Sequence, residues 1–213
     1  MTFLIPNPLL LLLALAPLTS SALVPNVTAI PIAPGTCQGW PGWVPQPIGN
    51  LTQQFFFEAR DASNSSLDGL RSSLSSPTSS SSSPAQLITD SDLIVSYDTY
   101  IIFSCANDGA IFNIHGGPAL VFSTDEQDRE LGYESGSRGA GSGLNPQVYM
   151  HEIAGVQQDG TFVGWGNITT WGFEFVLGQG GTGSSDYYRM RLLGPNASLR
   201  DGEVVGFVGI VAL

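Results

Sequence analysis

The sequence contains no lysine, only two histidines and only two cysteines. Seven arginines face 18 acidic residues, which gives a formal net charge of −11, and residues 1–57 carry no charged side chain. A chain this acidic is repelled by phosphate backbones and by anionic membrane surfaces, which argues against nucleic-acid and lipid-binding roles. The simplest interpretation of the charge is an acidic surface that keeps the protein in solution.

The scarcity of histidine and cysteine also limits the available chemistry. His115 is predicted in a turn and His151 in a strand, without the H-x-H or H-E-x-x-H spacing of a zinc site. For both, a hydrogen-bonded turn or surface position is the favoured interpretation. The acidic runs at 90–92 and 125–130 lack the Asp-x-Asp-x-Asp-Gly spacing of a calcium loop and are interpreted as solvated loops. We therefore expect neither a metal site nor a cofactor.

The N-terminus carries an export signal. Residues 9–16 are almost entirely apolar, and Ser20 and Ala22 supply the small residues of a cleavage site, the pattern of a secretory signal peptide over residues 1–22. The apolar run is shorter than the roughly 20 residues that span a bilayer. We expect a secreted, soluble mature chain that begins at Leu23.

Two further features agree with an extracellular location. In an oxidising compartment Cys37 and Cys105 are expected to form a disulfide, which closes a long loop and contributes about 4 kcal/mol in the chain-entropy treatment. Five Asn-x-Ser/Thr sequons predict N-glycans on exposed asparagines. The five are Asn26, Asn50, Asn64, Asn167 and Asn196.

Short strand signals follow a proline-rich arm at residues 23–47. They are recognised by alternating apolar and polar residues between glycine-containing turns. The predicted strands are 53–60, 100–105, 110–114, 119–123, 147–153, 161–165, 171–177, 187–193 and 203–213. We expect residues 48–213 to form an all-β domain, an antiparallel β-sandwich of about ten strands resembling a jelly roll.

Three segments need separate interpretations. Residues 61–88 are rich in serine and are predicted to be a disordered insertion. Residues 178–183 match G-x-G-x-x-G, but a strand follows instead of a helix, so a hairpin loop is predicted and not a nucleotide site. The apolar residues 204–213 are predicted to form a buried strand, since a GPI-anchor signal would need a longer polar spacer.

Aromatic residues are the leading candidates for a binding site. Trp40, Trp43, Trp165 and Tyr187 are able to stack on sugar rings, which makes a carbohydrate or cell-wall polymer the expected partner. For the tryptophans of the arm the favoured interpretation is a strap that Cys37 holds against the sheet, because large aromatic side chains generally stay covered.

An enzymatic alternative rests on two carboxylates. Glu152 and Glu174 lie in predicted strands, and a retaining glycoside hydrolase needs two carboxyl groups about 5 Å apart. An acidic residue on the polar face of a strand is more often simply solvated, so a glycoside hydrolase is the second choice. A secreted host-interaction protein is the third.

The composition of the chain and the order of its segments are similar to those of a known group of proteins. In its signal peptide, proline-rich arm, serine-rich segment, sequons and short glycine-bounded strands, it resembles the small secreted cell-wall and surface proteins of filamentous fungi. The resemblance implies a location at the wall or in the medium and assigns no site residue. We expect a secreted, glycosylated monomer, and we favour a ligand-binding or structural role over an enzymatic one.

Overall fold

The computed structural model describes residues 24–44, 52–73, 82–84, 86–88, 102–106, 109–114, 119–123, 129–134, 144–177 and 186–213. In these residues the regular structure consists of strands, apart from the three-residue 3-10 turn Ser65–Leu67. All fifteen strands belong to one hydrogen-bonded sheet. The all-β, antiparallel class predicted from the sequence is confirmed.

The strands are numbered here in chain order. They are β1 Val27–Pro31, β2 Phe55–Arg60, β3 Ser72–Ser73, β4 Ser82–Pro84, β5 Gln86–Ile88, β6 Phe103–Ala106, β7 Ala110–Asn113, β8 Ala119–Phe122, β9 Arg129–Glu134, β10 Gln147–Ile153, β11 Val156–Gln157, β12 Phe162–Gly164, β13 Thr170–Val176, β14 Tyr187–Leu192 and β15 Val204–Ala212. Every strand predicted from the alternation pattern overlaps one of these. The pattern does not predict β1 and β9, or the short strands β3, β4, β5 and β11.

Eight strands pair in a closed circuit. Its order is β15, β2, β6, β7, β8, β9, β14, β13 and back to β15. β12, β10 and β1 extend the sheet beyond β15, and β5 and β3 extend it beyond β14. β15 has partners along both edges, so the apolar C-terminal segment is a central strand, as predicted. The division into two packed layers, as in a jelly roll, stays a prediction.

β2 shows how the sequence builds the core. Phe55, Phe57 and Ala59 lie in the main core, as the two-residue period of a strand requires. Phe56 faces the other way, where the guanidinium of Arg71 covers its ring at 4.0 Å. Three consecutive phenylalanines are therefore all buried, on two different faces of one strand.

The proline-rich arm is fastened to this core. Cys37 and Cys105 form the predicted disulfide, with Cα atoms 5.6 Å apart. Trp40 stacks on Phe55, with ring centroids 4.9 Å apart. Among the described strands β1 pairs with β10 alone and ends at Pro31, in keeping with the restriction of proline to sheet edges. The described part of the arm is thus an ordered strap.

The predicted disorder of residues 61–88 is corrected for the part that the structure describes. Leu67 is buried, the amide of Ser63 donates to the carbonyl of Val205 at 2.7 Å, and that of Gly69 donates to Ala59 at 2.9 Å. Composition misled the prediction because it does not show that Leu67 packs into the main core, or that backbone hydrogen bonds join this segment to neighbouring strands.

Several sequence predictions lie outside the described residues. They are the signal peptide, Asn50, His115, the acidic residues at 90–92 and 125–128, and the G-x-G-x-x-G segment at 178–183. The strands that flank this last segment pair antiparallel up to Val176 and Tyr187, whereas the two strands of a βαβ unit are parallel. In the described part of the chain, no helix has the length and apolar character that crossing a membrane requires.

Candidate functional site

The four aromatic candidates lie in different environments. Trp40 is buried in the main core and is inaccessible to a sugar, so the packing interpretation holds for it. Trp43 is half-buried against the same core. Trp165 is also half-buried, and the guanidinium of Arg129 lies 4.0 Å above its ring. Tyr187 is half-buried at the start of β14.

Trp165 belongs to a tight turn. The amides of Trp165 and Ile168 each donate to the other residue's carbonyl at 3.0 Å, and Gly166 and Asn167 between them have φ values of 59° and 63°. Two central residues in the left-handed region define a type I′ hairpin turn. Because Arg129 already covers one face of the ring through a cation–π contact, at most the other face of Trp165 is open to a ligand.

Exposed apolar side chains gather instead at the end of the β13–β14 hairpin. Phe175 is 45% exposed and Leu177 is 71% exposed. Tyr188 lies directly opposite Phe175 in the register, with ring centroids 5.3 Å apart. Tyr187 pairs with Val176, so its side chain points to the opposite face of the hairpin. We call Phe175, Leu177 and Tyr188 the hairpin ledge. Exposed apolar groups clustered on a rigid element are a common mark of a binding surface.

The sequence pattern does not reveal this ledge. Alternation predicts Trp171, Phe173 and Phe175 on one buried face, and the first two are buried. Phe173 is also the last residue of β13 that pairs with β15. β13 extends beyond the start of β15. The side chain of Phe175 therefore points in the same direction as the core residues of β13, but it is not buried. None of the three ledge residues is a candidate from the sequence, and the candidate Tyr187 lies on the opposite face of the hairpin.

The structure does not bring the two candidate carboxylates together. Glu152 lies in β10 and Glu174 in β13. β10 pairs with β12, and β12 and β13 pair with different parts of β15. The registers place Glu152 level with the C-terminal end of β15 and Glu174 level with its beginning, on the order of 20 to 30 Å apart at the usual rise per residue. A retaining glycosidase needs about 5 Å between its carboxyl groups.

Glu174 instead takes part in ion pairs on the outer side of the hairpin. Arg200 Nη1 donates to Glu174 Oε2 at 2.8 Å and lies 3.9 Å from Glu130 Oε1. Arg189 approaches the same Glu130 oxygen at 4.0 Å. All four side chains are about one-third exposed, so these pairs sit at the surface and each contributes little to stability.

A buried ion pair lies deeper in the same region. Arg191 donates from Nε and Nη2 to the two carboxylate oxygens of Glu203, at 2.7 and 2.6 Å. Its Nη2 also donates to the carbonyl of Ser198 at 2.8 Å. The carboxylate lies over Gly172, where a Cβ atom would collide with Glu203 Oε1. The sequence predicts Arg191 on a polar face, but the segment before β15 covers that face.

His151 is buried and lies among aromatic rings. It stacks on Phe162 with ring centroids 3.5 Å apart and meets the edge of Phe207 at 4.6 Å. Its Nδ1 lies 3.2 Å from Thr169 Oγ1, and its Nε2 has no hydrogen-bond partner. Burial lowers the pKa of His151 to about 4, so the ring is neutral near neutral pH. A surface or turn position, the interpretation favoured from the sequence, does not apply to it.

A polar cavity of about 290 Å³ lies beside β2. Four carboxylates line it, those of Glu58, Asp61, Asp68 and Asp159. Glu58 pairs with Arg60 at 3.6 Å and with Arg71 at 3.4 Å, and Asp68 accepts a hydrogen bond from the amide of Ala62 at 2.9 Å. Among the residues that the structure describes, no group of three or more His, Cys, Asp or Glu side chains is arranged to hold a metal ion.

The sequon asparagines that the structure describes share one property. Asn26, Asn64, Asn167 and Asn196 are all exposed, the position that an attached glycan requires. Asn64 also caps the 3-10 turn, since its Oδ1 accepts a hydrogen bond from the amide of Ser66 at 3.1 Å. Use of these sequons stays a prediction.

Comparison with protein-family models finds no match, and comparison with curated proteins finds no similar chain. Neither comparison assigns a function. The proposals below therefore rest on the hairpin ledge, the sequons and the charge of the molecule.

Proposed function

We propose that the protein is a secreted, N-glycosylated surface or cell-wall protein that binds a neutral polysaccharide through the hairpin ledge. The observation that carries the proposal is the exposure of Phe175 and Leu177 beside the ring of Tyr188. Aromatic rings pack well against the C–H faces of sugars, and the hydroxyl of Tyr188 adds a hydrogen-bonding group at the edge of the surface.

The charge of the chain favours a neutral polymer. A net charge of −11 repels anionic polysaccharides over the range of the protein's electrostatic field. Chitin, β-glucan and cellulose carry no net charge and present repeated apolar sugar faces. These polymers also suit a location at a cell wall, which the sequence resemblance implies.

Binding is favoured over hydrolysis by what the candidate catalytic groups do in the fold. Glu174 is held by Arg200, and Glu152 lies level with the opposite end of β15. His151 is buried among phenylalanine rings and has no path to a substrate. A ledge of exposed side chains on a rigid hairpin supports adhesion without requiring any of these groups.

The proposal is tested by depletion on insoluble chitin, β-1,3-glucan and cellulose. The protein is produced with its leader in a eukaryotic host, and we expect recovery from the medium, cleavage after Ala22 and a mass that falls on treatment with peptide-N-glycosidase. We expect at least one polymer to deplete the wild type. Loss of an anchoring side chain typically weakens binding about tenfold or more, so Phe175→Ala and Tyr188→Ala should reduce retention by that factor.

Val156→Ala is the matched control. Val156 is 63% exposed but lies on β11, away from the ledge. Its substitution should leave retention unchanged. Retention of the wild type on none of the polymers, or equal losses from Val156→Ala and Phe175→Ala, would contradict the proposal.

A further inference from the structure

The sequons differ in how exposed the hydroxyl-bearing residue two positions after the asparagine is. At Asn26, both the asparagine and Thr28 are exposed, on the edge strand β1. At Asn167 the asparagine is exposed, but Thr169 is only 1% exposed. The hydroxyl of Thr169 lies 3.2 Å from Nδ1 of the buried His151 and shares a hydrogen bond with it. The recognition element of this sequon is therefore inside the protein.

The backbone around Asn167 is also fixed. Asn167 is the second central residue of the type I′ turn, which Trp165 and Ile168 close with two hydrogen bonds of 3.0 Å. Its own amide donates to the hydroxyl of the buried Tyr149 at 3.1 Å. Extending this segment, or turning the Thr169 hydroxyl outward, would break several of these bonds.

N-glycosylation requires that the transferase reach both the asparagine and the hydroxyl two residues after it. The Nδ2 atom of asparagine bonds to C1 of the first sugar of a lipid-pyrophosphate-linked oligosaccharide. The bond from C1 to the pyrophosphate oxygen breaks, the pyrophosphate leaves with the electron pair, and an amide proton passes to a base. Because the motif demands Ser or Thr two residues on, the transferase must read that hydroxyl, and in the folded domain the hydroxyl of Thr169 is covered.

We propose that Asn167 accepts a glycan only before the domain folds, whereas Asn26 accepts one either before or after folding. The exposed side chain of Asn167 leaves room for the glycan once it is attached. The proposal rests on the proposed secretion and glycosylation. Occupancy at Asn167 then records whether sugar transfer preceded folding in each molecule.

The proposal is tested with the mature chain made without glycans. One sample is refolded with its disulfide intact, and a second is reduced, alkylated and left unfolded. Both are incubated with microsomal oligosaccharyltransferase and a lipid-pyrophosphate oligosaccharide, and site occupancy is followed by mass spectrometry. Asn26→Gln and Asn167→Gln variants assign each glycan to its site.

We expect the unfolded chain to be modified at both sites. In the folded chain, transfer to Asn26 should continue, and transfer to Asn167 should slow by about tenfold or more, because exposure of Thr169 then requires local unfolding. Equal rates at Asn167 in the two samples would overturn the inference, and so would failure of the unfolded chain to accept a glycan there. A chain that is not secreted in cells would refute the proposed function and leave this ratio unchanged.

Discussion

Arg191 and Glu203 form a two-pronged ion pair that is almost completely buried on the outer side of the β13–β14 hairpin, with N–O distances of 2.7 and 2.6 Å. The amide of Arg200 donates to the same carboxylate at 2.9 Å, and the carbonyl of Ser198 accepts from Arg191. The pair therefore holds the segment before β15 against the hairpin that carries the ledge.

Glu203→Gln should lower the free energy of unfolding by about 3–5 kcal/mol, because it leaves the buried Arg191 without a countercharge. Glu174→Gln is the matched control, since its ion pair with Arg200 is partly exposed and should contribute at most about 1 kcal/mol. Urea unfolding of both variants measures the difference. Similar losses in the two variants would show that burial does not increase the effect of breaking the Arg191–Glu203 pair on the free energy of unfolding.

Gly172→Ala should destabilise the protein by about 1–3 kcal/mol, because the added methyl group would push the Glu203 carboxylate away from Arg191. At Gly194 the nearest heavy atom to an added Cβ is Ile168 Cδ1, 3.9 Å away. Gly194→Ala should therefore cost nothing measurable or stabilise slightly. Urea unfolding again provides the comparison, and a Gly172→Ala variant as stable as Gly194→Ala would refute the steric argument.

His151 should make the protein less stable in mild acid. The pKa of His151 is about 4 in the folded state, against 6.5 for an unperturbed histidine. Between these values the unfolded chain binds more protons than the folded one, so stability falls as the pH drops from 6.5 to 4 and is unaffected by this group above 6.5. The loss amounts to about 3 kcal/mol.

The measurement compares unfolding free energies of the wild type and His151→Phe at pH 7 and pH 4.5. Subtracting the two pH responses removes the contribution of the carboxylates that the proteins share. We expect the wild type to lose more stability than the variant over this interval. Parallel pH responses would mean that His151 is protonated as easily in the fold as in water.

The disulfide should contribute about 4 kcal/mol through the long loop that it closes. The double variant Cys37→Ser/Cys105→Ser should lose that amount in urea unfolding, and a reducing agent should lower the stability of the wild type by a similar amount. The double variant is the control for the reducing agent, because it has no disulfide and its stability should not change when the agent is added. A wild type that is insensitive to reduction would contradict this assignment.

The sequence predicts much of the fold because its strands alternate clearly. β10 has the predicted bounds, and Cys37 pairs with Cys105 as expected. The errors arise where tertiary neighbours decide the outcome. Leu67 orders a serine-rich segment, and Arg191 is buried although its strand assigns it to the polar face. Neither outcome is encoded within one strand.

The candidate site is predicted less well, for the same reason. Trp40 and Tyr187 are equally plausible as ligand-binding aromatics in the sequence, yet packing against Phe55 removes the first from the surface. Phe175 follows the pattern of a core residue and is exposed only because β13 extends beyond the start of β15. Exposure of this kind depends on where a neighbouring strand begins, which the local sequence does not specify.

The most direct test of polysaccharide binding is a calorimetric titration of the protein with soluble hexasaccharides of chitin, β-1,3-glucan and cellulose, beside the double variant Phe175→Ala/Tyr188→Ala. We predict saturable binding of at least one hexasaccharide by the wild type. The double variant, folded and glycosylated like the wild type, should bind it at least about tenfold more weakly. An absence of binding by the wild type, or the same Kd for both proteins, would contradict the proposed role of the ledge.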